Sequence, residues 1–374
     1  MIPMKKNSTP SSNKWLALLF TCLLLSCTVC NAATTETLKP DTITLSLTEA
    51  GTLHERIGNN KKLKIECLRL TGMLNIDDIQ FIREMAGCYY DTKGHKYDGH
   101  LRYLDISGAT LTNTDNKEVS IYPRDPSEYE GTPWPSAEAY INDKGTPVAI
   151  FAYLYDMEEI VLPAKLKSIG DDAFIFCRSL KSINIPESVQ EIGLRAFFGC
   201  SSLKSMKLPI GITEIKSGLL SGCTNLTSID IPYTTEEIGH NAFSKCTSLK
   251  SIELPYSLNN MGISVFYGCN SLKSIYALNP QGIGIKGKPF EEYTQSQCTL
   301  YVPEGSMYNY QCWEEWYAFN HIVEFSPTGI NGVHSAAERR EVERYDTSGR
   351  RLTSPTKGLN IVRFNDGTTR KVMK

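Results

Sequence analysis

The chain has no large excess of either charge. Its 39 lysines and arginines stand against 41 aspartates and glutamates in 374 residues. That balance excludes the strongly basic surface expected of a nucleic-acid or membrane-surface binder. Reactive residues are also scattered, with six histidines at 54, 95, 100, 240, 321 and 334. No H-E-x-x-H, G-x-S-x-G or G-x-x-x-x-G-K-[ST] occurs. Zinc-hydrolase, serine-hydrolase and phosphate-cradling chemistry therefore lack their spacing. A membrane-length apolar run is missing too. The amino-terminal run WLALLFTCLLLSC is too short to span a bilayer comfortably. With Lys5, Lys6 and Lys14 ahead of it, residues 1–32 read as a secretory signal. Two cleavage readings stay open. Leu24-Leu25-Ser26-Cys27 resembles a bacterial lipobox, which would lipidate Cys27, whereas Cys30-Asn31-Ala32 ends in the small residue of ordinary cleavage. Either way the protein is expected outside the cytoplasm, at the outer-membrane surface or secreted, touching the membrane only through a lipid anchor.

What the chain has in abundance is repetition. Cys177, Cys200, Cys223, Cys246 and Cys269 recur at a step of 23 residues, and their surroundings recur with them. Successive units read SIGDDAFIFCRSLKSINIPESVQ, EIGLRAFFGCSSLKSMKLPIGIT, EIKSGLLSGCTNLTSIDIPYTTE, EIGHNAFSKCTSLKSIELPYSLN and NMGISVFYGCNSLKSIYALNPQG. Such a period means a stack of like coils, each burying its apolar face against its neighbours. Leu180, Ile183 and Ile185 set an L-x-x-I-x-I rhythm, repeated by Leu203, Met206 and Leu208, by Leu226, Ile229 and Ile231, and by Leu249, Ile252 and Leu254. Alternation at the Ile pair predicts a short strand with one buried face. Pro186, Pro209, Pro232 and Pro255 stop it, because proline cannot donate to the ladder. Phe174, Phe197, Phe243 and Phe266 each follow a small residue, and Gly170, Gly193, Gly239 and Gly262 are read as turn glycines. One unit departs, with Lys216 for glycine and Leu219-Leu220 for Ala-Phe. Residues 145–167 form a worn sixth unit with Phe151 in register and Leu154 at the cysteine position.

The pattern G-x-x-A-F-x-x-C-x-x-L-x-x-I-x-I-P resembles the BspA-like class of leucine-rich repeats. The resemblance implies a mainly β solenoid, a curved right-handed coil of 23-residue repeats with short turns and helical segments. It further implies an α/β amino-terminal cap, non-enzymatic adhesion to host or neighbouring-cell macromolecules, and no cofactor. The expected organisation is a signal at 1–32, a cap at 33–144 and six repeats at 145–282. A terminal piece at 283–325, a linker at 326–337 and a small β appendage at 338–374 follow. In the first cap, Asn75 suits a helix N-cap, Asp77 and Asp78 its first turn, and Gly87 its end. That placement fits Asp77 and Asp78 better than paired-carboxylate catalysis does. In the terminal piece, Trp313 and Trp316 are assigned to the core. The appendage, with VERYDTSGRRL, GLNIVRF and TTRKVMK as strands, resembles sorting or attachment modules of exported bacterial proteins; a stabilising appendage is the other reading.

The ladder cysteines are expected to be buried free thiols. In-register neighbours sit at about the 4.8 Å strand spacing, wider than the roughly 3.8 Å between the Cβ atoms of a disulfide. A line of sulfurs also offers no four-ligand zinc site. For Cys67, Cys88, Cys298 and Cys312 the bridging state is left open. His95 and His100 beside Asp91 and Asp98 fit a solvated turn better than a metal loop.

Two binding candidates remain. On the outward strand face, Ser182, Ser205, Ser228, Ser251 and Ser274 form a constant column beside a varied one, Asn184, Lys207, Asp230, Glu253 and Tyr276. Lys181, Lys204, Lys250 and Lys273 flank them. A regular frame with one varied column is how a solenoid can write specificity, here for an extracellular protein. The other candidate is the interruption at 112–147, with Tyr122, Tyr129, Trp134 and Tyr140 near Asp125, Glu128 and Glu130, suited to a sugar ring or a partner protein's anchor. The leading reading is a monomeric binding or adhesion protein. The alternatives are a surface glycan-binding protein using that loop, or an architectural envelope protein.

Overall fold

The computed structural model of the chain describes residues 42–87, 99–113, 119–121, 137–142, 146–325, 341–345, 351–352, 359–364 and 369–373. The L-x-x-I-x-I segments form the short strands that their alternation predicts, all parallel and in chain order. One ladder joins Ile43–Leu47, Cys67–Leu74, Tyr103–Leu111, Glu159–Val161 and Ser182–Asn184. A second pairs Ser205–Lys207 with Ser228–Asp230. A third runs through Ser251–Leu254, Ser274–Ala277, Thr299–Pro303 and His321–Phe325. Strands on either side of each break remain in contact, so the ladders make one file. Like faces like: Ser205 pairs with Ser228, Met206 with Ile229, and Ile252 with Ile275.

A second, narrower file was not predicted. Ser168–Ile169 pairs with Glu191–Ile192, and Glu214–Ile215, Glu237–Ile238, Asn260–Met261 and Gly284–Ile285 form a further ladder. Two residues give too little periodicity to read as a strand, yet each strand contributes an apolar residue to the interior, among them Ile169, Ile192, Ile215, Ile238 and Met261. The glycine after it serves close approach rather than a left-handed turn. A Cβ on Gly193 would lie 2.4 Å from the Asp171 backbone nitrogen, and one on Gly262 would lie 2.7 Å from that of His240. The left-handed positions come later in the coil. Asp172, Arg195, Gly218 and Asn241 share one, with φ between 52° and 68°, and Tyr153, Phe176, Gly199, Gly222 and Lys245 share another, between 56° and 77°.

Between the two files, the phenylalanines stack ring on ring. Phe151 and Phe174 are 5.3 Å apart, Phe174 and Phe197 5.1 Å, and Phe243 and Phe266 5.7 Å. Leu220 interrupts the stack, and Phe290 extends it at 5.5 Å from Phe266. The ladder cysteines form no disulfide and are buried, as expected, but they are more than apolar fillers. Each thiol donates to a carbonyl of the preceding coil: Cys200 to Phe174 (3.2 Å), Cys223 to Phe197 (3.3 Å) and Cys269 to Phe243 (3.1 Å). Cys67, Cys298 and Cys312 form no disulfide either.

At the amino-terminal end, the helix Ile76–Met85 starts at Asn75, whose side chain accepts from the Asp77 and Asp78 amides, and Asp78 returns a bond from the Asn75 amide. Buried Asp78 also accepts from Gly51 (2.6 Å) and Leu53 (2.9 Å), tying the helix to the preceding turn. Gly87, with φ 72°, follows the helix as predicted. In the terminal piece, Trp316 is buried, donating to the Ile283 carbonyl at 2.8 Å, and Tyr310 donates to Asn279 at 2.6 Å. Trp313 corrects the expectation: it precedes the short helix Glu314–Tyr317 and is 42% exposed. The tail strands Glu341–Tyr345, Arg351–Leu352, Leu359–Phe364 and Thr369–Met373 form their own antiparallel sheet. No helix among the described residues is long and apolar enough to cross a membrane.

Candidate functional site

The strand alternation that sends Ile183, Met206, Ile229, Ile252 and Ile275 inward turns their neighbours outward. Ser182, Ser205, Ser228 and Ser251 are exposed and Ser274 is half-buried. Beside them Asn184, Lys207 and Asp230 are exposed and Glu253 and Tyr276 half-buried. The structure thus brings the whole varied column onto one face. Register extends that column past the repeats. Val161 pairs with Asn184, Asp105 with Val161 and Arg69 with Asp105, the last two also joined by an ion pair whose carboxylate is fully buried. At the other end Tyr301 pairs with Tyr276, and Val323 with Tyr301.

This far end forms an aromatic platform that the sequence reading missed. The Tyr276 and Tyr301 rings stack at 4.5 Å with 13° between planes, and Phe325 meets Tyr276 edge-on at 5.9 Å. A signal was present, since TLYV mirrors SIYA, but the step between them departs from 23 and hides the column. Charge along the face is mixed. Lys181 pairs with Glu158 at 2.5 Å and Lys207 with Glu187 at 3.3 Å, both at the surface, where such pairs contribute little. The arrangement offers an apolar ring surface at one end and hydrogen-bonding groups along the rest, suited to recognition rather than bond-making.

The loop candidate divides. Tyr122, Tyr129 and Trp134 lie outside the described residues, as do Cys27, His95, Asp91 and Asp98. Tyr140 is half-buried in the strand Ala137–Ile141, opposite Val148, in a sheet separate from the long-strand file. His100 is exposed. Among the described residues, no group of three or more His, Cys, Asp or Glu is placed to hold a metal ion.

Residues 146–273 match the family model described as BspA type leucine rich repeat region, in six copies, about a third of the chain. The matching family is a repeat region rather than an enzyme family. No curated protein matches. Among solved structures, the chain is similar to a leucine rich cell surface protein from Faecalibacterium prausnitzii, at 20% identity and TM-score 0.37 over 62% of each chain. The match therefore spans less than two thirds of that protein. A leucine rich repeat protein of T. pallidum is 26% identical over 46% of this chain and 80% of its own, with TM-score 0.37. A leucine-rich repeat protein from Bacteroides ovatus is 18% identical over 71% of this chain and 73% of its own, with TM-score 0.32.

Proposed function

We propose that this chain is a non-enzymatic recognition protein, exported to the cell surface or beyond, that binds an extracellular protein through the open face of its long-strand file. The observation that carries the reading is the varied column on a constant serine frame, ending in the Tyr276–Tyr301 stack. Stacked tyrosines give rigid, amphipathic contact area, the kind of anchor that dominates protein interfaces. Glu253, next to Tyr276 in the ladder, and Asp230 and Lys207 further along the column supply charges that select a partner more than they bind it. Export rests on the charged start and short apolar run at residues 5–27, adhesion on the repeat family, and a sorting role for residues 338–374 on their resemblance to such modules.

The test is a binding screen of the exported chain against extracellular matrix proteins and glycan arrays, repeated with Tyr301→Ala and Asp230→Lys. The expected result is a protein ligand whose affinity falls at least about tenfold with Tyr301→Ala, as for a central aromatic anchor. A ligand indifferent to both substitutions would place recognition elsewhere, and no ligand at all would favour an architectural role.

A further inference from the structure

Away from the strand face, the left-handed turns of successive coils border a shallow trough of about 800 Å³. Its origin is legible coil by coil. At one left-handed position, Tyr153, Phe176 and Lys245 carry large side chains, but Gly199 and Gly222 carry none. At the other, Gly218 stands between Arg195 and Asn241. The missing side chains leave the depression.

Its floor and walls come from one file. The carbonyls of Phe198, Ser221, Ser244 and Tyr267 accept from the amides of Phe176, Gly199, Gly222 and Lys245 in the coils before them, so the four residues hold equivalent places. Two serines therefore lie between two aromatic rings, and all four line the trough. Ser221 is 6% exposed and Ser244 5%, and both line the trough. A hydroxyl in the wall of a trough can both donate to and accept from a ligand.

The remaining groups narrow the ligand. Lining residues include Arg178, Arg195 and Lys245 and no aspartate or glutamate. Asp172 engages Arg195 at 2.7 and 2.9 Å, so that charge is answered from within. Lys245 is exposed and has no carboxylate partner among the described residues. Arg178 is held over the Tyr155 and Phe176 rings at 5.2 and 5.7 Å. His240 accepts from the Ile263 amide through Nδ1 at 2.8 Å, which assigns the hydrogen of the neutral ring to Nε2, a donor. The backbone here is already committed to coil-to-coil bonds, as from Gly199 to Ser221 and Gly218 to His240. It offers no free edge to an extended peptide.

We propose that this trough is a binding site for an acidic oligosaccharide, a short chain of sugars bearing carboxylates. The serine hydroxyls donate to and accept from sugar hydroxyls. The Phe198 and Tyr267 rings meet the apolar faces of sugar rings, and Lys245 and Arg178 take the carboxylates. The lining spans four coil steps, about 19 Å at the strand spacing, which is room for several sugar units. This site is separate from the strand face and does not depend on the reading proposed for it.

The experiment is calorimetric titration of the full exported chain with tetragalacturonate, with neutral cellotetraose and tetraglutamate alongside. Gly222→Phe fills the trough with the side chain that Phe176 carries at the equivalent position, and the added Cβ meets nothing closer than 3.5 Å. Lys245→Glu reverses the exposed charge without touching the core, and keeps the test decisive should the first variant melt early. Tetragalacturonate should bind, weaken with added salt, and lose at least tenfold in affinity in each variant, while Tyr301→Ala leaves it unchanged. The proposal is overturned if tetragalacturonate does not bind, if cellotetraose or tetraglutamate binds as well, or if Lys245→Glu has no effect.

Discussion

Raising the pH should destabilise this fold through its cysteine ladder, to a degree set by the number of buried thiols. Burial pushes the Cys200, Cys223 and Cys246 thiols well above their ordinary value of 9.0, and the thiolate of the next rung adds to the effect. Cys269 is pushed up to about 12, again chiefly by burial. In the unfolded chain these groups ionise near 9, while in the fold they keep their protons. The stability they contribute is therefore fully present below pH 9 and is lost as the pH climbs from about 9 towards 12. Above the unfolded value each thiol costs about 1.4 kcal/mol per pH unit. At about pH 10 the four together remove roughly 6 kcal/mol, comparable with the whole stability of an ordinary domain. Thermal melts by circular dichroism at about pH 8, 9 and 10, with ultraviolet thiolate absorbance followed on the same samples, measure this directly. Cys223→Ala lowers stability at neutral pH by opening a gap in the file, but it should flatten the alkaline loss by about a fifth, since burial also pushes Cys298 up to about 12 and makes it the fifth such thiol. The reasoning fails if that variant loses stability with pH as steeply as the parent, or if thiolate forms before the fold melts.

Three further outcomes test the packing. Gly199→Ala should cost about 2 kcal/mol or more in a denaturant melt, since φ is 71° there and the new Cβ would meet the Phe176 ring at 2.5 Å. Trp316→Ala should cost about 3–5 kcal/mol, and Trp313→Ala under about 1, because only the former is enclosed; equal costs would contradict the placement. Truncation after Phe325 should leave the cooperative melt intact, because the strands beyond it find their ladder partners among themselves. A collapsed melt would make the tail part of the fold.

The repeat itself was legible because a solenoid writes its contacts into the sequence. When residue n packs on residue n+23, each column must suit its own copy. Phe on Phe, Cys beside Cys and Ser opposite Ser can then be read without coordinates. The helix start at Asn75 was legible for a related reason, since capping involves residues two and three apart. Where the spacing slips, the reading failed. Tyr301 and Phe290 continue columns whose step has changed, and only register showed it. Trp313 and Trp316 lie three apart in similar surroundings, and which one is enclosed depends on where Phe290, Tyr310 and Phe319 close in. The trough is a tertiary matter as well. Glycine at 199, 218 and 222 becomes a depression only when the neighbouring coils set Phe176, Arg195 and Lys245 around it. By itself the sequence determined which residues repeat and therefore stack. The tertiary structure decided what is left over when they do: a ring uncovered at Trp313, and a trough walled by Ser221 and Ser244, because exposure depends on distant segments that no local period records.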